Sequence, residues 1–253
     1  MNEPVTLTVH ASGAAEIVID RPERHNAMTL DMYESLLTLV AQCEHTSGVR
    51  CILFRGAGGK SFIAGTDIAY FKDFRDGRDG VAYEAFVERV IDTVERIAMP
   101  TIAVIDGWAV GGGLALATAC DFRLCSDASR FGAPIAKTLS NTLSSRNIAR
   151  LQAALGVPRV KKMLMLADYL GAADMLECGY VHEVCSPGAL QEAAHALAQR
   201  LMALSPVTQK AVKESLRRIV VEQRLDDEDL IDEVYGSARF RDAVIAFTSG
   251  ASK

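Results

Sequence analysis

The chain has 253 residues, 49% of them hydrophobic and 23% charged, with a net charge of -5. That apolar content supports a sizeable buried core and excludes intrinsic disorder. The acidic balance, with no basic stripe, argues against nucleic-acid binding; the closest candidate, Lys210 to Arg218, reads as the solvated face of a helix.

The first element is a hairpin, with β-prone runs Thr6 to Val9 and Glu16 to Asp20 around Ser12-Gly13. Arg21-Pro22 ends it, because proline cannot continue a sheet ladder. A helix follows from about Thr29 to Glu44, with Met32, Leu36, Leu39 and Cys43 on one face. Val49 to Phe54 is a compact apolar strand stopped by the glycine-rich stretch Gly56 to Gly59. From Val81 to Ile97, Phe86, Val90, Val94 and Ile97 recur at helical spacing, and Pro100 stops that helix. Thr101 to Ile105 is a buried strand, Leu114 to Cys120 an apolar helix and Phe122 to Cys125 a third strand. The alternation suggests right-handed β-α-β units. Beyond Pro187 only helices are expected: Gly188 to Leu204, Pro206 to Val220, Asp226 to Tyr235 and Ala238 to Phe247. Ser205 suits the N-cap of the second of these and Pro206 its first turn.

The six cysteines (Cys43, Cys51, Cys120, Cys125, Cys178 and Cys185) show no C-x-x-C spacing, and no histidine cluster completes a zinc site. No metal is expected, and a reducing compartment fits. No charged and then apolar leader is visible over Met1 to Ala15, and apolar runs such as Ile102 to Ile105 are too short to span a bilayer. A cytoplasmic protein without membrane attachment is the expectation.

Two loops carry candidate chemistry. The first, Lys60 to Ile68, follows a strand, and Gly65 permits a sharp turn that points the next N–H outward. The second, Asp106 to Gly113, joins a strand to an apolar helix, where three glycines admit a ligand and the helix N-terminus supplies unpaired N–H groups. Two such N–H groups converging on one point form an oxyanion hole. Taken singly, each loop reads more readily as a glycine-rich turn. A phosphate-binding loop is a further alternative, although Walker and Rossmann spacings are absent.

Four segments, in order, resemble the crotonase superfamily, the enoyl-CoA hydratase/isomerase family. They are Arg21-Pro22-Glu23-Arg24-His25-Asn26-Ala27-Met28, Phe62-Ile63-Ala64-Gly65-Thr66-Asp67-Ile68, Pro100-Thr101-Ile102-Ala103 running into Gly107-Trp108-Ala109-Val110-Gly111-Gly112-Gly113, and Cys120-Asp121-Phe122-Arg123. Ser237 to Phe247 resembles the family's last helix more weakly. The resemblance implies an α/β fold, with a ββα spiral core over residues 1–190 and a helical C-terminal trimerisation region over 191–253. It implies an acyl-CoA substrate, with coenzyme A as part of the substrate rather than a cofactor, and a homotrimer or dimer of trimers. The backbone N–H groups of Thr66 and Gly112 would form the oxyanion hole. Arg24, His25 and Ala27 lie on the segment resembling the coenzyme A-binding loop, and Ala64, Asp67 and Ile68 line the same region.

The family pattern breaks at two places. Hydratases of the family use two glutamates to hold the attacking water and shuttle its proton. One belongs two positions after the glycine triplet, where this chain has Ala115, and the other after Phe131-Gly132-Ala133-Pro134, where it has Ile135. Both positions would face the substrate. Downstream, the glycine-free run Lys137 to Arg146 offers Ser140, Asn141, Ser144 and Arg146 as candidate pocket polar groups, or else caps the next helix. Asp67 reads more readily as a turn-forming residue than as a base, and Asp121 as a structural hydrogen-bonding residue. Tyr70 and Phe71 wall the acyl pocket or belong to the core. The leading reading is an acyl-CoA enzyme with weak or absent hydration. The alternative is a non-catalytic acyl-CoA-binding or assembly subunit. A ClpP-like serine peptidase is set aside, because Leu114 and Ala115 occupy the place of a nucleophile.

Overall fold

A computed structural model describes residues 3–249. The outermost residues of the two expected regions, 1–2 and 250–253, lie outside the described part. Strands β1 (Val5–Val9) and β2 (Ala14–Ile19) form the expected hairpin, pairing antiparallel from Val5 opposite Ile19 to Val9 opposite Ala15. Helix α1 (Leu30–His45) follows, its N-terminus capped by the Thr29 side chain, which accepts from Met32 N–H.

Three successive turns of chain then repeat one plan. Each begins with a strand in a large sheet, continues with a short strand in a small sheet and closes with a helix. The turns are β3 (Cys51–Gly56), β4 (Ser61–Ile63) and α2 (Gly77–Glu95); β5 (Thr101–Ile105), β6 (Trp108–Val110) and α3 (Gly112–Ala119); and β7 (Phe122–Ser126), β8 (Arg130–Gly132) and α4 (Ser145–Leu164). Strand β9 (Leu170–Gly171), helix α5 (Ala172–Glu177) and strand β10 (Glu183–Cys185) complete the core. The large sheet runs β1-β2-β3-β5-β7-β10, parallel beyond the first pair, and the small sheet runs β4-β6-β8-β9. The plan is therefore ββα rather than the simple β-α-β alternation expected from periodicity. The short second strands carry three residues each, too few for a period-2 pattern to show.

The strands of the large sheet are almost continuously apolar because both faces are covered. Ile17, Ile52, Phe54, Ala103 and Ile105 face a core shared with α1, α2 and α3, whereas Cys51, Leu53, Ile102, Val104 and Leu124 pack against α6 (Leu190–Met202). After β10 the described chain is helical, as expected: α6, α7 (Pro206–Arg217), α8 (Glu228–Gly236) and α9 (Ala238–Thr248). Pro206 opens α7 after Ser205, but the Ser205 side chain makes no capping bond. Among the described residues, no helix is long and apolar enough to cross a membrane.

Candidate active site

Both glycine-flanked loops leave strands of the small sheet. Strands β4 and β6 pair in parallel, with Ile63 opposite Ala109, so the loops depart side by side. Gly65, at φ +86°, makes the turn after β4. The first loop is stitched to the segment before α1: Ala64 N–H donates to His25 O, Met28 N–H to Gly65 O and Asp67 N–H to Met28 O, at 2.8–3.1 Å. These bonds fix the loop through the neighbours of Thr66, and among the described residues its own N–H has no hydrogen-bond acceptor. On the second loop, Gly111 N–H donates to Gly132 O at 3.0 Å. Gly112 opens α3, so its N–H has no intrahelical acceptor.

The close approach of the loops requires glycine. A Cβ on Gly65 would lie 3.5 Å from Gly112 N, and one on Gly112 would lie 4.0 Å from Thr66 Oγ1 and 2.7 Å from Tyr33 Oη. A Cβ on Gly113 would sit 2.0 Å from Ile63 O, inside any permitted contact. Beneath the loops, Thr66 Oγ1 bridges two phenols, lying 3.1 Å from Tyr33 Oη and 2.6 Å from Tyr83 Oη. Burial pushes Tyr33 up to about 12 and raises Tyr83 as well, so both hydroxyls stay protonated and hold the Thr66 side chain in place.

The two loops open onto a cavity of about 210 Å³. Ala64, Gly65, Thr66, Ile68, Gly111 and Gly112 line one side, and Ala115 and Ile135 line it too. Phe71, Tyr83, Val87, Leu139, Leu143 and Tyr169 supply the apolar wall. Phe71 thus walls the cavity, whereas Tyr70 packs edge-on against Phe71 and Phe74 beside it. Of the polar candidates in the 137–146 run, Asn141 lines the cavity; Ser140, Ser144 and Arg146 do not. Ser144 is instead the N-cap of α4, its Oγ accepting from Asn147 N–H at 3.2 Å. That run therefore does both things the sequence left open: it caps a helix and lines the pocket with Thr138 and Asn141.

The remaining sequence candidates lie around the cavity. Arg24, His25 and Ala27 sit on the segment that the first loop is stitched to, outside the cavity lining. Asp67 is also outside it. Its carboxylate accepts from Ala69 N–H at 3.0 Å and from Arg21 Nη1 at 2.7 Å, and those two contacts hold it below the ordinary carboxylate range. Asp121 accepts from Thr101 N–H at 2.7 Å and pairs with Lys213 Nζ at 2.8 Å, a structural role.

Two residues escaped the sequence reading. Asn26 is fully buried in left-handed backbone, and its amide ties three segments together: Oδ1 accepts from Arg21 N–H, and Nδ2 donates to Ala57 O and Ser61 O, at 2.7–2.9 Å. Glu84, on α2, contributes a carboxylate to the cavity. Its Oε2 accepts from Ser144 N–H at 2.7 Å. Burial raises its pKa above the ordinary value, against the pull of the Ser144 N–H, and neighbouring Glu88 adds to the rise. A larger, mostly apolar cavity of about 540 Å³ lies between α3, α4, α6 and α7 but contains neither loop.

A family model described as enoyl-CoA hydratase/isomerase matches residues 10–248. The chain belongs to the enoyl-CoA hydratase/isomerase family. It is 30% identical to a short-chain-enoyl-CoA hydratase of Clostridium acetobutylicum, over 81% of this chain and 77% of that one. It is 28% identical to an ethylmalonyl-CoA decarboxylase of Homo sapiens, over 95% of this chain and 80% of the relative. A crystal structure from Hyphomonas neptunium, titled as an enoyl-CoA hydratase/isomerase family protein, superimposes with a TM-score of 0.87 at 28% identity, covering 98% of this chain and 95% of that one. Family membership therefore spans members named for hydration and for decarboxylation.

Proposed function

We propose that this family member binds a short acyl-CoA thioester with its carbonyl oxygen between the N–H groups of Thr66 and Gly112, and stabilises the enolate or tetrahedral oxyanion formed there. The observation that supports the reading is the close approach of the two glycine-flanked loops, which line one cavity with Thr66 and Gly112. Each preorganised donor of this type contributes about 3–4 kcal/mol to a transition state. A volume of about 210 Å³ lies below the roughly 300–1,000 Å³ of pockets that enclose a drug-sized ligand. The acyl end enters, and the coenzyme A portion lies along the surface near Arg24, His25 and Ala27.

Ordinary hydration is not the main reaction in this reading, because Ala115 and Ile135 line the cavity where a hydratase places its carboxylates. The test has two arms. Calorimetry with butyryl-CoA reports binding, and crotonyl-CoA hydration reports the missing carboxylates. Binding with little hydration is expected; efficient hydration, or no binding of butyryl-CoA, overturns the reading. The loss of both carboxylates also favours a second reading, a binding subunit without catalysis, in which every bound thioester persists unchanged.

The same family reading proposes self-association through the C-terminal helices. Helix α9 buries none of its side chains, and Tyr235, Val244, Ile245 and Phe247 are exposed on α8 and α9. Sedimentation velocity is expected to show trimers or dimers of trimers; a monomer at micromolar concentration refutes this.

A further inference from the structure

The cavity holds one carboxylate among its lining residues, and it does not come from either position where the family's hydratases carry theirs. We propose that Glu84 is the proton-transfer group of this site, and that the reaction it serves is a 1,3-proton shift in a short 3-enoyl-CoA thioester. This rests on the acyl-thioester reading above.

Three glutamates of α2 point toward α4, and their partners differ. Glu88 and Glu95 are both bonded to Arg150, at 2.8 and 2.9 Å, and Glu88 also accepts from Ser144 Oγ at 2.9 Å. Glu84 receives a single backbone N–H, that of Ser144, and among the described residues no cation lies within ion-pair distance of it. A structural carboxylate at this depth would ordinarily be neutralised, as its two neighbours are. Glu84 is instead positioned through one oxygen, fixed on Ser144 N–H, with no partner given to Oε1. Glu84 also lies close enough to Tyr33 and Tyr83, the phenols that hold Thr66, for its charge to raise both. The carboxylate and the Thr66 donor thus serve one small space.

Two other hydroxyl-bearing groups in the lining, Tyr83 and Thr138, suit proton transfer less well. Tyr83 Oη is committed to Thr66 Oγ1, and burial holds its proton firmly. Thr138 Oγ1 donates to Pro134 O at 3.0 Å. Burial raises Glu84 above the ordinary carboxylate value, which favours the protonated form the group must carry between the two transfers.

One carboxylate also selects among reactions. Adding water across a 2-enoyl thioester calls on one group to orient and deprotonate the water and another to protonate the α carbon. A 1,3-shift calls on one base only. Glu84 takes a proton from the α carbon of a 3-enoyl thioester. The C–H pair moves into the bond between the α carbon and the carbonyl carbon, the carbonyl π pair moves onto the oxygen, and the β,γ double bond stays in place and becomes conjugated, so the oxygen is a dienolate oxygen held by Thr66 and Gly112. The protonated Glu84 then returns the same proton to the γ carbon as the carbonyl re-forms. The product is the 2-enoyl isomer, with no change in oxidation level and no co-reactant. The apolar wall of Phe71, Val87, Leu139 and Leu143 keeps bulk water from the dienolate.

The experiment compares wild type with Glu84→Gln. Glutamine keeps an oxygen that accepts from Ser144 N–H but cannot carry the proton, so fold and binding are preserved while chemistry is lost. But-3-enoyl-CoA is the substrate, crotonyl-CoA formation is followed by liquid chromatography, and butyryl-CoA affinity is measured by calorimetry on both proteins. Wild type is expected to isomerise, and E84Q to bind butyryl-CoA within about threefold of wild type with kcat lower by about 10²–10⁴-fold, the usual worth of a positioned acid–base group. Glu84→Ala is expected to lose turnover and to regain part of it with added formate, a rescue that a purely structural role would not give. Wild type that binds butyryl-CoA but does not isomerise overturns this proposal and leaves the thioester reading standing. E84Q turning over within about threefold of wild type, or E84A unresponsive to formate, overturns it too. Wild type that binds no butyryl-CoA overturns the thioester reading itself.

Discussion

Replacing Gly113 by alanine should separate the two loops without touching either proposed donor. The added Cβ would lie 2.0 Å from Ile63 O and 2.8 Å from Ile63 C. Both are backbone atoms, so no side chain can swing aside. Restoring even 3.0 Å to the carbonyl oxygen requires β4 and α3 to part by about 1 Å. A misplacement of that size is enough to cost roughly 10²-fold, and full loss of one donor costs about 3–4 kcal/mol, or roughly 10²–10³-fold. Overpacking takes a further 1–3 kcal/mol or so from stability. The assay uses acetoacetyl-CoA, whose enolate has its own near-ultraviolet absorbance. Wild type is expected to raise the enolate fraction on binding and the variant to lose that rise while its circular dichroism stays native. Gly80→Ala serves as control: Gly80 is inside α2 with nothing within 4 Å of the added carbon, so the fold should gain up to about 1 kcal/mol. A Gly113→Ala protein that folds and still stabilises the enolate like wild type would show that the paired loops do not hold the carbonyl.

Three further outcomes are expected. Ala115→Glu combined with Ile135→Glu should raise crotonyl-CoA hydration at least about tenfold, since both positions face the cavity and a carboxylate pair supplies the missing acid–base chemistry; an unchanged rate in a folded protein counts against the alignment of these positions. Asn26→Ala removes three hydrogen bonds from a fully buried amide and should destabilise by about 3 kcal/mol or more, read from urea unfolding. Glu214 is held down to about 2, first by its hydrogen bond from Arg217 and also by that from Arg218. A depressed carboxylate stabilises the fold above its unfolded value and loses that contribution as pH falls toward the folded one. The melting temperature should therefore drop between about pH 4.5 and pH 2, and Glu214→Gln should flatten that drop; identical profiles would assign the acid loss to other groups.

The order of helices and large-sheet strands was legible because each has a period or a long apolar run. Thr101 to Ile105 is the clearest case: apolar residues bounded by Pro100 and Asp106, and a strand with those limits. The small sheet was not legible. Ser61–Ile63, Trp108–Val110 and Arg130–Gly132 are too short to alternate visibly and read as loop. The loops were found through their glycines, since a close backbone approach leaves a compositional mark. Glu84 left none. It sits beside the apolar positions Tyr83 and Val87 on α2, and nothing local says that this flank of the helix borders the cavity rather than solvent. Only the packing of α2 beside the first loop and the start of α4 decides that. Asn26 was quoted as part of a motif, but its cross-linking of Arg21, Ala57 and Ser61 is a tertiary fact.

The pairing of β4 with β6 has one more consequence. Ile63 stands opposite Ala109, and each proposed donor lies three residues beyond its member of that pair, Thr66 on one side and Gly112 on the other. Neighbouring strands of any sheet run about 4.8 Å apart, a pitch set by backbone hydrogen bonds alone. On the proposed reading, the spacing at which two N–H groups can share one oxygen is thus a ruler built into the main chain, provided that glycine at 112 and 113 admits the approach. In the same reading, carboxylates absent at residues 115 and 135 and one supplied from α2 leave that spacing unchanged. A lineage with such a ruler can change its chemistry by moving acids and bases about a fixed point.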